Sequence, residues 1–107
     1  MPYQSTYRPE APERSEVDAT PGLLLLEFGA NWCGHCQAAQ SAIREVLADH
    51  PGLDHRKIED GPGRRLGRSF RVKLWPTLIL LGDGQEIART VRPATVDDIR
   101  TLFQAPD

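Results

Sequence analysis

An apolar run followed by an amphipathic stretch constrains the fold of this chain more than any other feature. Residues 23–28 are almost entirely apolar and end at Gly29, as expected of a strand that is covered on both faces. Across 36–49, apolar residues recur at steps of three and four positions, which is typical of an amphipathic helix. The polar residues of that stretch are expected on its outer face: Gln40, Ser41, Arg44 and Glu45. With a second strand at 53–59, the pattern predicts a right-handed βαβ unit with parallel strands.

The second half of the chain predicts an antiparallel hairpin. Segments 77–81 and 87–91 flank Gly82-Asp83-Gly84-Gln85, and Asp-Gly is a strong signal for a tight hairpin turn. Short helices are predicted over 64–70 and after Thr95, which precedes two acids in a first helical turn. We therefore expect an α/β fold with a mixed four-stranded central sheet, in which a parallel βαβ unit is followed by an antiparallel hairpin.

Residues 1–21 differ in composition from the rest. They contain four prolines, few aliphatic side chains and more acids than bases, so they are expected to anchor little of a core. The sequence divides the chain into a flexible N-terminal arm over 1–21, with at most one short helix within 12–19, and a domain over 22–107.

Composition and charge limit the partners. Thirteen basic and fifteen acidic residues give a net charge of −2, so no cationic field favours nucleic acid or an anionic membrane. The apolar runs are too short for a membrane helix, and residues 1–16 lack the apolar core of a secretory signal. A cytoplasmic location is therefore expected.

The residues best suited to catalysis lie in the sequence Trp32-Cys33-Gly34-His35-Cys36, directly after the first predicted strand. A helix N-terminus leaves amide N–H groups unpaired and stabilises a thiolate, the form of cysteine that attacks disulfides. Cys33 is therefore the expected nucleophile. Cys36, one helical turn later, is placed to attack a mixed disulfide formed at Cys33.

These residues, together with Trp75-Pro76-Thr77 some forty positions later, resemble the thioredoxin family over residues 22–104. The resemblance implies the thioredoxin fold, with the four strands in the spatial order second, first, third, fourth and helices on both faces of the sheet. It also implies disulfide exchange with protein or small thiol substrates, with reduction as the expected direction. It implies a cis peptide bond before Pro76, beside the cysteines, and a loop that offers the backbone of Trp75 and Thr77 to an extended substrate.

No bound cofactor is required, because the cysteines carry the electrons, and an external thiol reductant or reductase must recycle them. The expected context is cell redox homeostasis and electron transport, with the protein acting as a monomer.

Gly34 and His35 depart from typical thioredoxins, which have proline at the position of His35. This Gly-His linker resembles that of protein disulfide isomerases. As an imidazolium, His35 favours the Cys33 thiolate and makes the disulfide a better oxidant, whereas an exposed turn histidine has little influence. The sequence therefore leaves the direction of the reaction open.

Glu27 stands in the apolar strand at the place where the resemblance implies a buried aspartate that assists proton transfer from the second cysteine. Glu27 is thus a candidate general base for Cys36, acting through water, with Lys57 as its charged neighbour. The alternatives are a glutamate turned to solvent at the strand end and an exposed strand lysine.

Other interpretations stay open. The two cysteines would form half of a zinc site only with further ligands, for which the chain offers His35, His50 and His55. A non-catalytic redox sensor or partner-binding module, a pair of inert buried thiols, and an iron–sulfur carrier across a dimer are further alternatives. The basic segment 56–73 holds seven basic and two acidic residues, and is either a solvated surface or a guide for an acidic partner or nucleotide.

Overall fold

The computed structural model describes residues 3–104, and within them a four-stranded sheet. The strands are β1 (Leu23–Gly29), β2 (Asp54–Glu59), β3 (Thr77–Gly82) and β4 (Gln85–Val91). Their spatial order is β2-β1-β3-β4, with β1 parallel to β2 and antiparallel to β3, and β3 antiparallel to β4. The predicted α/β architecture and strand order are confirmed.

Helices cover both faces of this sheet. They are α1 (Arg14–Asp18), α2 (Gly34–Leu47), α3 (Arg65–Ser69) and α4 (Val96–Arg100), which continues into a 3₁₀ turn at Thr101–Phe103. Helices α2 and α4 pack on one face, and α1 and α3 contribute buried side chains to the other. The short helices predicted within 12–19, over 64–70 and after Thr95 are therefore present.

Two local sequence signals form the structures that they predict: a tight turn at Asp83-Gly84 and a helix cap at Thr95. Asp83 and Gly84 have φ values of +49° and +82°, the pair of left-handed conformations that a tight type I′ hairpin turn requires. A Cβ on Gly84 would lie 1.9 Å from the Asp18 carbonyl oxygen, so the turn packs against the end of α1 only with glycine there. Thr95 caps α4 by accepting a hydrogen bond from the Asp98 amide at 3.2 Å.

The N-terminal segment makes more core contacts than its composition predicts. Tyr7 and Val17 are buried, and Arg8 forms a parallel bridge with Ile58 on the outer edge of β2. The expectation that residues 1–21 anchor little of the core is wrong at Tyr7 and Val17. Two well-placed apolar side chains can join a core even where the mean composition of their segment is polar. The boundary at residue 22 and the flexibility of the arm stay predictions, and residues 1–2 lie outside the described residues.

Alternation along β1 directs its side chains to the two faces. Leu24, Leu26 and Phe28 belong to the apolar cluster beneath α1 and α3. Leu25 packs against α2 and α4, and Glu27 lies further along on that same face. The strand therefore delivers one carboxylate to the side of the sheet where α2 begins.

Candidate active site

The two cysteines occupy the start of α2 in different environments. Cys33 is the N-cap residue, and its Sγ accepts a hydrogen bond from the Cys36 amide at 3.3 Å. Both are free thiols. Cys33 keeps 7% of its surface exposed, whereas Cys36 is completely buried. The sequence prediction that Cys33 is the more accessible of the two agrees with this difference, although both lie beneath the surface.

The electrostatics of the pair reinforce this asymmetry. The unpaired amides and dipole of the 14-residue helix α2 converge on Cys33, where they favour negative charge on sulfur. Burial, and after it the hydrogen bond with Cys33, raises the pKa of the Cys36 thiol to about 11, although hydrogen bonds with Ala30 and Tyr7 act in the opposite direction. Cys36 is therefore protonated at neutral pH.

The loop before β3 lies beside the cysteines. The Trp75–Pro76 peptide bond is cis, as the family resemblance implies. Trp75 packs against the small buried cluster that contains Cys33 and Cys36, and its indole Nε1 donates to Asp60 Oδ2 at 2.9 Å. Trp32 is 75% exposed and meets Trp75 edge to face, with ring centroids 5.6 Å apart. The redox pair is thus flanked by two indoles.

Some of the backbone of this loop already has partners. The carbonyl of Trp75 accepts from Arg92 Nε at 2.9 Å, and that of Pro76 accepts from the Arg92 amide at 2.8 Å. Thr77 is buried and its hydroxyl donates to the Leu74 carbonyl at 2.6 Å. Between the two cysteines, Gly34 and His35 are exposed on the first turn of α2.

Glu27 is completely buried at the centre of a polar network, so its interpretation as a solvent-facing glutamate is wrong. Its carboxylate accepts from Gln40 Nε2 at 2.9 Å, from His55 Nε2 at 2.9 Å and from the Tyr7 hydroxyl. Burial alone would raise the pKa of Glu27, but the hydrogen bond from His55 and the charge of Lys57 hold it below its ordinary value. Glu27 is therefore ionised at neutral pH.

Lys57 is buried as well, and its interpretation as an exposed lysine is wrong. Its Nζ lies 3.8 Å from Glu27 Oε2 and donates to Gln40 Oε1 at 2.7 Å and to the Ser5 carbonyl at 3.1 Å. The ammonium also lies 4.2 Å from the centroid of the Tyr7 ring. Burial lowers the pKa of Lys57, against the opposing effect of Glu27 and Cys36.

His55 completes this network, and its hydrogen bonds define its tautomer. Nδ1 accepts from the Gln4 amide at 2.9 Å, so the ring proton resides on Nε2 and is donated to Glu27. His55 is thus a donor to Glu27 that the N-terminal segment holds in place.

Sequence reasoning missed three members of the site: Tyr7, Gln40 and His55. His55 carried a signal, because alternation along β2 puts it on the same face as Lys57. Gln40 was predicted on the outer face of α2, which is wrong. It follows Cys36 by one turn and donates to the Cys36 carbonyl at 2.8 Å. Tyr7 carried no signal, because its position depends on how the N-terminal segment docks.

The described part of the chain holds neither a metal-binding cluster nor a membrane-spanning helix. Within residues 3–104, no three His, Cys, Asp or Glu side chains are grouped closely enough to hold a metal ion. In the same range, none of the helices has the length and apolar character needed to cross a membrane. His50, one of the candidate zinc ligands, is stacked on Phe103 with ring centroids 4.0 Å apart.

Known proteins resemble this chain in sequence and structure. The family model described as Thioredoxin matches residues 10–105. A thioredoxin of Chlamydia trachomatis is 34% identical over 82 residues, which cover 77% of this chain and 80% of that protein. A thioredoxin of Staphylococcus aureus is 32% identical over 71 residues, 65% of this chain and 68% of the relative. The reduced form of thioredoxin 2 from Pseudomonas aeruginosa PAO1 superposes with a TM-score of 0.84, at 54% identity and 94% coverage of each chain.

The family match extends over most of the chain and includes the segment in which two cysteines stand three positions apart. The sheet order and the helix that starts at Cys33 agree with it. This chain belongs to the thioredoxin family and is a thiol-disulfide oxidoreductase that acts on protein disulfides.

Proposed function

We propose that Cys33 and Cys36 are the redox pair and that they act in sequence. The observation that carries this proposal is their asymmetry: Cys33 is partly accessible at the helix N-terminus, whereas Cys36 is a fully buried thiol. The Cys33 thiolate attacks one sulfur of a substrate disulfide, forms a mixed disulfide and releases the other sulfur as a thiolate. Cys36 then loses its proton and attacks Cys33. Two electrons pass to the substrate, and the protein is left with a Cys33–Cys36 disulfide.

Glu27 is the proposed acceptor of the Cys36 proton. Its support is the buried, ionised carboxylate on the face where α2 begins, with Lys57 at 3.8 Å as its charged neighbour. General base assistance of this kind is worth about 10²- to 10⁴-fold in rate. Glu27 therefore belongs to the second chemical step, in which the buried thiol must become a nucleophile.

The two indoles and the cis-proline loop are the proposed substrate site. Half-buried Trp75 packs against the cluster that contains Cys33, exposed Trp32 meets Trp75 edge to face, and buried Pro76 follows Trp75 in the loop. An extended substrate segment would lie along this loop and contact Trp75 and Thr77 through their backbone. His35 is the proposed modulator of the Cys33 thiolate, through the charge that its exposed imidazole gains on protonation.

Reduction is the proposed direction, with an external thiol reductant or reductase restoring the cysteines after each cycle. We place this activity in the cytoplasm, where thiols are kept reduced, within cell redox homeostasis and electron transport by a monomer. No nucleic acid or membrane partner is proposed. A reduction potential of about −270 mV is expected, and one of about −180 mV, the range of disulfide isomerases, would reverse the assigned direction.

Turnover of a model disulfide with a recycling reductant tests the redox pair. We expect many turnovers per molecule in the unchanged protein and none in Cys33→Ser. Cys36→Ala should accumulate a stable mixed disulfide at Cys33, identified by mass spectrometry of the trapped species. A single reaction per molecule, or partners held equally well by Cys33→Ser, would instead indicate a redox sensor or a binding module.

A further inference from the structure

Tyr7 is a buried phenol that the redox mechanism above does not use. Only 4% of its surface is exposed, and its backbone amide donates to Asn31 Oδ1 at 2.9 Å, which fixes the start of the side chain. Its hydroxyl donates to Glu27 Oε2, and Gln40 Nε2 approaches the same hydroxyl at 3.4 Å. Burial, reinforced by the charge of Glu27, raises the pKa of Tyr7 well above its ordinary value, so this hydroxyl keeps its proton.

The same ring lies against Cys36. A Cβ built on Gly29 would be 2.6 Å from Cys36 Sγ and 2.8 Å from Tyr7 Cζ, so the sulfur and the phenol share the space above that glycine. Tyr7, Cys33 and Cys36 belong to one buried cluster. The Tyr7 ring thus lies beside the Cys36 sulfur, while its hydroxyl donates to the Glu27 carboxylate.

We propose that the Tyr7 hydroxyl is the proton relay between Cys36 and Glu27 during the resolving step. The proposal rests on the proposed function, because it concerns how Cys36 becomes a nucleophile. It assigns to a side chain of the N-terminal segment the role that water was expected to have.

The relay balances in atoms and electrons. As Cys36 Sγ attacks Cys33 Sγ, its S–H bond breaks and the proton passes to the Tyr7 oxygen. The Tyr7 O–H bond breaks at the same time, and that proton passes to Glu27 Oε2. The bond between Cys33 and the substrate sulfur breaks, its electron pair leaves with the substrate thiolate, and solvent supplies the proton that this thiolate takes up. Tyr7 ends unchanged, and Glu27 later returns its proton to solvent.

Stopped-flow reaction with an aromatic disulfide that liberates a coloured thiolate tests the relay. The reduced protein releases a first thiolate when Cys33 attacks and a second when Cys36 resolves the mixed disulfide. For Tyr7→Phe, which keeps the ring, we expect the first release to be unchanged and the second to slow by tenfold or more at pH 7. The deficit should shrink as the pH approaches about 11, where hydroxide removes the Cys36 proton directly.

Tyr3→Phe is the matched control. The Tyr3 hydroxyl donates to Gln40 Oε1 at 2.7 Å and so belongs to the same network without contacting Cys36. An equal slowing in both variants, or an unchanged second release in Tyr7→Phe, would overturn the relay. If the unchanged protein failed to release the first coloured thiolate, which requires attack by Cys33, the proposed function itself would be overturned.

A second measurement needs no variant and covers the case in which Tyr7→Phe does not fold. In mixtures of light and heavy water, the rate of the second release should curve with deuterium fraction, because two protons move together. A straight line, the result for one proton in flight, would exclude the relay.

An independent observation concerns the basic segment of the sequence. A cavity of about 470 Å³ opens beside the redox pair, and Trp75 forms the wall nearest to the cysteines. The charged residues that line this cavity are Asp60, Arg64, Arg68, Arg71 and Lys73. Arg64 is bound to Glu59 and to the Pro9 carbonyl, and Asp60 accepts from Trp75. Within residues 3–104, the side chains of Arg68, Arg71 and Lys73 form no hydrogen bond or ion pair.

We infer that this cavity binds acidic side chains that flank the disulfide of a protein substrate. Arg68, Arg71 and Lys73, whose side chains have no partner among the described residues, give it a positive potential. Its Trp75 wall connects it to the place where the substrate sulfur is attacked. The inference deepens the proposed function by naming a substrate class: disulfides within acidic sequence. Exposed charges attract over about 10 Å at ordinary ionic strength, so the preference should weaken as salt is added.

Two peptide disulfides that differ only in acidic or serine residues beside the cysteine test this inference. We expect the unchanged protein to prefer the acidic peptide in kcat/KM, and Arg68→Glu or Arg71→Glu to lose about tenfold on that peptide alone. Arg100→Glu, at an exposed residue of α4, makes the same charge change outside the cavity and should leave the preference intact. Equal use of both peptides at low salt would overturn the inference, whereas failure with the serine peptide as well would count against the proposed function.

Discussion

The two faces of β1 are equally buried but differ in what surrounds them. On the face toward α1 and α3, Leu24, Leu26 and Phe28 belong to a buried cluster of apolar side chains. On the face toward α2, Glu27 is completely buried among Tyr7, Gln40, His55 and Lys57. Within residues 3–104, no buried side-chain nitrogen or oxygen lacks a hydrogen-bond partner. A charge persists in such a core because each of its polar atoms is paired.

This difference separates the face of β1 that contributes stability from the face that contributes reactivity. The apolar face gains free energy from burial and dispersion, which do not depend on pH or on the identity of a substrate. Burial of the polar face costs desolvation free energy, and the pKa values of its ionisable groups differ from those in water. The two faces should therefore respond oppositely to substitution.

The largest expected effect is on the polar side. Cys33→Ser should reduce turnover of a model disulfide by at least about 10³-fold, because an alcohol does not replace the thiolate nucleophile. The free energy of unfolding should change by less than about 1 kcal/mol, since the substitution is small and no apolar contact of β1 is lost. Turnover and urea denaturation of the same preparation check both statements. A comparable loss of stability would show that the site also holds the fold together.

Leu26→Ala should have the reverse pattern. Loss of a fully buried leucine costs about 2–5 kcal/mol of the free energy of unfolding, through transfer and cavity formation. Turnover per folded molecule should stay within about twofold, because Leu26 faces away from the cysteines. Urea denaturation and turnover at a temperature where the variant is folded provide the measurements. A large drop in turnover there would mean that the two faces are mechanically coupled.

Glu27→Gln addresses the other face at the neighbouring position. It keeps the shape of the side chain and removes the charge, so the resolving step should slow by about 100-fold. Unfolding should become easier by about 1–3 kcal/mol, because an amide cannot accept every hydrogen bond that the carboxylate accepts. Single-turnover kinetics separate the resolving step from the first attack. An unchanged resolving rate would remove Glu27 from the mechanism and leave it a structural role.

The two faces should also differ in their response to acid. The pKa of Glu27 is lowered on folding, so its contribution to stability is present above its unfolded pKa and is lost as the pH falls through the folded value. The unchanged protein should therefore lose stability below about pH 4.3, and Glu27→Gln should lose less over the same range. Urea midpoints from pH 6 to pH 3 test this. Parallel curves for the two proteins would contradict the assigned direction of the pKa shift.

The smallest effect is expected far from both faces. Thr95→Ala removes the cap of α4 and should cost about 1 kcal/mol of stability, with no change in turnover. Thermal unfolding and the standard turnover assay check it. A change in turnover would show that α4 transmits strain to the start of α2, against which it packs.

Most of the fold followed from the sequence because its signals are local. The periodicity of α2, the Asp83-Gly84 turn and the Thr95 cap each act within a few residues, and each forms where the pattern predicts it. Part of the site is local in the same sense, since Cys33 and Cys36 share one helical turn.

The remainder of the site is non-local and could not be read in the same way. Tyr7 and Cys36 are distant in sequence and meet only because Gly29 leaves space between them. Gln40 looked like a surface residue because a polar side chain on an amphipathic helix usually faces water. It faces inward because Glu27 and Lys57 supply partners there. Composition describes the average residue, whereas these positions are determined by single contacts.

The docking of the first residues of the chain has a consequence for how the protein moves. The amide of Gln4 binds His55 and the carbonyl of Ser5 binds Lys57, so detachment of this short segment would let water reach the buried charges without unfolding the sheet. Such local openings require less free energy than global unfolding. We therefore expect the reactivity of the Cys36 thiol to depend on how often the segment that contains Gln4 and Ser5 detaches. Amide hydrogen exchange at Gln4 and Arg8 would report this detachment.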